Sequence, residues 1–186
     1  MHLANIIIHT LPMILTTTFA NPSQARYLTI PAVTTDANNH AILECWRFNT
    51  PFSNYPTVGT SLFLANTTNI TYVILPPRSA EGIHKPPSPM FFVLLSGLAR
   101  VTFPFNDKEL WIREGAQGLI VANDVKGIGH FTEYPGEKES VALQVPFKDG
   151  VVPEHEVVER GACLIGERND EERVGDGTQE VVAELL

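Results

Sequence analysis

The chain has 186 residues, a formal net charge of −8 and a pI near 5.2. That length suits one domain with its own core, and the acidic balance argues against a nucleic-acid surface. Fourteen prolines and thirteen glycines, set between short apolar runs, point to many turns and an all-β fold; no stretch has the length and apolarity of a mature membrane span, and no repeat of solenoid length is visible.

The first segment reads as a secretory signal. Residues 6–19 are mostly apolar or Thr, and small residues follow at the spacing a signal peptidase takes, Thr18 with Ala20 or Ser23 with Ala25. Positive charge at the start is limited to His2 and the α-amino group, so an apolar first strand is the competing reading. We expect residues 1–25 to be removed, leaving a mature chain from about Arg26 in the secretory lumen or outside the cell, without membrane attachment. The sequons at Asn66 (Asn-Thr-Thr) and Asn69 (Asn-Ile-Thr) fit that route, and they lie so close that a glycan on one hinders the other. Cys45 and Cys163 are the only cysteines. In an oxidising compartment they can form one disulfide that ties the last segment to an early strand. Two buried free thiols fit as well.

Strand candidates follow at 27–33 and 41–48, the second mixing Glu44 and Arg47 into an apolar run. Pro51, Pro56 and Gly59 break the next stretch. Residues 60–65 and 69–75 are strand-like, and Pro76-Pro77 ends the second. Residues 90–95 form the strongest apolar run; Gly97 turns the chain and 99–105 continues it, which predicts a hairpin. Asn106-Asp107 is the next turn. Strands at 109–112, 119–122, 130–133 and 140–146 complete a sandwich or barrel pattern. Residues 151–159 read as a short helix or a strand. Residues 167–186 read as a surface tail, acidic and polar over their first half.

An ordered set of residues carries the chemistry. His84, Pro87, Phe91, Leu95, Ser96 and Gly97 come first; Gly115, Asp124, Gly127, Gly129 and His130 follow. In this set, which falls within residues 70–146, the chain resembles the RmlC-like cupins. The resemblance implies a cupin jelly-roll β-barrel of two facing sheets over residues 26–166, with the site inside. In metal-bearing cupins the first motif supplies two His separated by one residue, then a Glu, and the second motif a third His. Here those middle positions are Pro86 and Met90, so only His84 and His130 carry over. A site of three or four ligands is not assembled from them. We expect no metal and no cofactor; copper on two imidazoles and Met90, or a weak site completed by Glu133, are the alternatives.

Period-two alternation puts Met90, Phe92 and Leu94 on one face of their strand and Phe91, Val93 and Leu95 on the other. The family's ligand position is interior, which places Met90 and Phe92 in the cavity. Such a cavity suits a hydrophobic small molecule, and a histidine can move a proton in either direction. His84 and His130 are the expected catalytic residues, with Met90, Phe92 and Arg47 as substrate contacts. A structural hydrogen bond for His84 at a strand start is the competing reading. Asp124 reads as a turn residue, Glu133 as facing away from His130, and Arg78, Arg100 and Arg113 as surface residues. The resemblance to tailoring cupins of fungal natural-product pathways implies a lyase or isomerase performing dehydration, isomerisation or cyclisation, pericyclic ring closure included. A metal-dependent cupin oxidoreductase and a non-catalytic small-molecule-binding module are the alternatives. A homodimer through sheet edges is compatible with the resemblance.

Overall fold

Short apolar runs punctuated by Gly, Pro and Asx turns fold as strands here. The computed structural model describes residues 25–163 as an all-β jelly roll. The expected signal segment up to residue 24 and the acidic tail lie outside the described residues. The strands are β1 (Tyr27–Thr35), β2 (Ala41–Pro51), β3 (Ser53–Asn54), β4 (Thr60–Ser61), β5 (Thr71–Leu75), β6 (Ser79–His84) and β7 (Met90–Ser96). They continue as β8 (Leu98–Thr102), β9 (Glu109–Arg113), β10 (Leu119–Ala122), β11 (His130–Tyr134), β12 (Ser140–Pro146) and β13 (His155–Glu159). A seven-stranded sheet, β13-β2-β1-β10-β7-β12-β5, faces a four-stranded sheet, β6-β11-β8-β9, and β3 and β4 form a small ribbon. β1 and β10 pair in parallel; their neighbours pair antiparallel.

The large sheet is apolar on both faces, which explains why its strands lack polar alternation. Val33, Phe92, Leu94 and Ile120 point between the sheets and meet Val101 and Ile112 of the small sheet. Ala32, Phe91 and Val121 point outward, where Leu64, Ala65 and Val152 cover them. Phe147 seals that outer layer edge-on against Phe91, with ring centroids 4.7 Å apart. Truncating a buried phenylalanine of this kind to Ala costs about 3–5 kcal/mol. The stretch expected to be a strand at 60–65 is therefore mostly an irregular cover, with only β4 extended.

The expected hairpin around Gly97 is corrected by the pairing. β7 bonds to β10 and β12, whereas β8 bonds to β9 and β11. Gly97 thus carries the chain from one sheet to the other. A Cβ there would lie 2.3 Å from Ser140 Oγ, and the backbone has φ 96°, so both sterics and conformation call for glycine. The hairpin that does form is β8–β9, where Asn106 Oδ1 accepts from Lys108 N at 3.1 Å.

At the far edge of the large sheet, residues expected to be helix or strand form β13, paired with β2. A Cys45–Cys163 disulfide pins the chain just past β13 to β2, across a sequence separation of 118. The free-thiol reading is set aside. Among the described residues no helix is long and apolar enough to cross a membrane.

Candidate functional site

β6 and β11 pair so that His84 and His130 sit directly opposite each other. Cross-strand partners have their Cβ atoms about 4.5–5.5 Å apart. Two histidines distant in sequence thereby become neighbours, with ring centroids 4.6 Å apart and planes inclined at 60°. His84 closes β6 rather than starting a strand, which corrects that expectation. The loop before β11 can pass the end of β6 only because residue 129 has no side chain. A Cβ on Gly129 would fall 1.8 Å from the His84 carbonyl oxygen.

Both imidazoles line a cavity of about 340 Å³ between the sheets, at the lower end of the range for small-molecule sites. Met90, Phe92, Val101, Ile112 and Ile120 give it an apolar wall. Its polar lining is His84, His130, Glu81, Tyr134 and Thr132 from the small sheet and Gln144 from the large one. Met90 and Phe92 thus lie where the alternation of β7 put them.

His130 is 6% exposed and Asp124 is fully buried. Asp124 Oδ2 lies 2.6 Å from His130 Nδ1. An ionised carboxylate only accepts, so Nδ1–H donates and Nε2 is the ring nitrogen left for chemistry. The expectation that Asp124 merely shapes a turn is corrected: its side chain orients His130. Its other oxygen, Oδ1, is buried without a hydrogen-bond partner.

His84 has a carboxylate of its own. Its Nε2 is 3.4 Å from Glu81 Oε2, and its Nδ1 is 3.1 Å from the Gly82 carbonyl. Tyr134 donates to Glu81 Oε1 at 2.5 Å. Burial, then this hydrogen bond and the Glu81 charge, push the Tyr134 phenol far above its ordinary value, so it stays protonated. The site is thus two histidine–carboxylate pairs facing each other, with a phenol held on the second pair.

Glu81, Tyr134, Thr132 and Gln144 were not among the expected site residues. Tyr134 was readable, because an even offset from His130 on a strand returns to the same face. Glu81 was not. The β6–β11 register slips between Ala80 and Gly82, which leaves Glu81 as the extra residue of a bulge. Bulges re-aim side chains in this way beside functional sites.

Arg47 does not join the cavity. Its Nη2 binds Glu156 Oε2 at 2.5 Å across the β2–β13 pair, and its guanidinium lies 5.6 Å from the centre of the Tyr27 ring. The cavity lies over the central strands of the large sheet, with no lining residue from β2, so an arginine there has no path to it. Glu133 is on the outer face, 3.5 Å from Arg100. Asn66 and Asn69 are exposed.

The metal expected of typical cupins does not fit these donors. Pro86 and Met90 occupy the cavity wall beside His84. The nearby carboxylates are engaged, Asp124 with His130 and Glu81 with Tyr134. Among the described residues no group of three or more His, Cys, Asp or Glu is placed to hold a metal ion.

No protein-family model matches the chain, and no curated protein matches it. Among solved structures it is similar to a conserved protein of unknown function from Streptococcus pyogenes. The two are 25% identical with a TM-score of 0.32, over 42% of this chain and 64% of that one. The chain thus spans less than two thirds of that protein's length.

Proposed function

We propose that the chain is a metal-independent enzyme of the RmlC-like cupin type, a lyase or isomerase that moves protons on a largely apolar small molecule held in the cavity. The observation that supports this reading best is the buried Asp124–His130 pair set beside His84, Glu81 and Tyr134 on one wall of an otherwise apolar pocket. His130 Nε2 takes a proton from carbon, and the Asp124 carboxylate meets the charge that forms on the ring. His84 gives a proton by turning its Nε2–H, 3.4 Å from Glu81 Oε2, away from that carboxylate to the ligand. In a dehydration the C–H and C–O bonds break, a C=C bond forms, and the hydroxyl leaves as water. In an isomerisation the second proton goes to another carbon. Each such acid or base contributes about 10²–10⁴-fold in rate. For a ring closure the apolar wall supplies orientation instead. The motif resemblance favours a tailoring step of secondary metabolism, and the disulfide and exposed sequons favour a secretory route.

The test is incubation of the full chain with extract of its producing cells in D₂O. A product formed with the native chain and not with His130→Gln, lighter by the mass of one water in a dehydration or carrying carbon-bound deuterium in an isomerisation, supports the reading. A ligand recovered unchanged from the native chain makes it a binding module instead. A product formed equally well by His130→Gln overturns the proton-transfer assignment.

A further inference from the structure

We infer that the cavity is built for an amphipathic anion, with an apolar body against Met90, Phe92 and Ile112 and a carboxylate-like group at Lys85. This rests on the cavity being a small-molecule site and names the class of molecule. Lys85 is the one Lys or Arg among the lining residues, and it follows His84 directly. Among the described residues it forms no ion pair. The carboxylates nearest in the site are already engaged, Glu81 with Tyr134 and His84, and Asp124 with His130.

The position of Lys85 is set rather than incidental. Pro86 and Pro87 follow it and also line the cavity; the first of them confines Lys85 to an extended backbone. Its stem runs against the Gly129 loop, where a Cβ on residue 129 would sit 2.8 Å from Lys85 Cγ. A lysine stem laid along the rim leaves its ammonium in water, where an unburied anionic head can meet it without being desolvated. The chain carries 21 acidic against 13 basic Lys and Arg residues. Its overall field repels anions, so a local cation at the mouth is what lets one dock. An uncharged ligand would gain nothing from it.

Two dyes of nearly the same shape separate charge from shape: 8-anilinonaphthalene-1-sulfonate, an anion, and N-phenyl-1-naphthylamine, its uncharged parent. Both are titrated by fluorescence against the full chain, Lys85→Gln, Lys85→Glu and Ile74→Ser. Ile74 is 56% exposed, on the outward side of β5 and away from the cavity. We expect the sulfonate to bind about tenfold more weakly to Lys85→Gln and weaker still to Lys85→Glu, with the uncharged dye within twofold of native. Ile74→Ser should change neither. A sulfonate affinity indifferent to Lys85, beside normal binding of the uncharged dye, overturns the anion subsite alone. Equal weakening of both dyes by Lys85→Gln makes Lys85 structural and overturns it too. Loss of both dyes in Ile74→Ser puts them on the outer sheet face and overturns the subsite, and binding of neither dye to the native chain removes the cavity reading beneath it.

Discussion

Replacing Asp124 by Asn tests the centre of the site with almost no change of shape. The native carboxylate is fully buried and accepts one short hydrogen bond from a ring that is itself nearly buried. Hydrogen bonds to charged groups contribute about 1.5–3 kcal/mol. Removing one partner of a buried pair outright costs about 3–5 kcal/mol. Asparagine keeps an oxygen that can accept from His130 Nδ1–H, but its NH₂ group must then occupy the place of Oδ1, where the native structure offers no hydrogen-bond partner. If the amide turns over, it donates to Nδ1 and moves the ring proton to Nε2, the wrong tautomer for a base. Either way a loss of about 2–4 kcal/mol is expected. At roughly 3–5 °C per kcal/mol for a domain of this size, the melting temperature should fall by about 6–20 °C.

Activity should fall further than stability explains, by about 10²–10⁴-fold in the folded fraction. Thermal melts of Asp124→Asn, His130→Gln and the double variant, read as a cycle, isolate the pair. The coupling should be at least about 1.5 kcal/mol. Additive single changes, or an Asp124→Asn protein with native melting and native turnover, would refute the argument that Asp124 positions His130.

Three further outcomes are expected. Removing the Cys45–Cys163 bridge by a double change to Ala should cost about 2–5 kcal/mol, measured as a drop in the urea midpoint that reductant reproduces in the native chain. Tyr134 binds its proton more tightly when folded than its ordinary value of 10.0 implies, so its contribution to stability should be constant below that pH and fall above it, where only the unfolded chain ionises there; Tyr134→Phe should flatten the alkaline slope in urea titrations at pH 9–11. Expression in a eukaryotic host should give an N-terminus near Arg26 and a glycosidase-sensitive mass shift that Asn66→Gln with Asn69→Gln abolishes; an intact Met1 with no shift would remove the secretory reading.

What could be read from the sequence follows from where the chain keeps to simple periods. β7 does: alternation alone separated Met90 and Phe92 from Phe91, because a strand buried on both faces still points successive side chains to opposite sides. β11 does too, and taking its even positions one step beyond Thr132 would have added Tyr134. β6 does not. Its exposed and half-buried residues give no apolar face, so the strand itself was missed, and with it the partner that His84 supplies to His130. Gly97 misled for a different reason: a turn glycine marks a change of direction, and cannot say whether the next strand returns to the same sheet or crosses to the other.

The residues that resisted sequence reading are also those on which the proposed chemistry rests. A bulge brings Glu81 to His84, and a loop closed against the end of β6 brings Asp124 beneath His130. Neither depends on periodicity; the first depends on β6 departing from its ladder, the second on the close passage of a loop that Gly129 permits. The apolar wall alone would hold a ligand and leave it unchanged. In the function proposed above, each histidine has a carboxylate beside it and the two rings adjoin across one register pair, so the same wall would present a ligand to a base and an acid a few ångströms apart. Sequence periodicity therefore accounts for the container, and the local departures from it account for the carboxylates gathered beside its histidines.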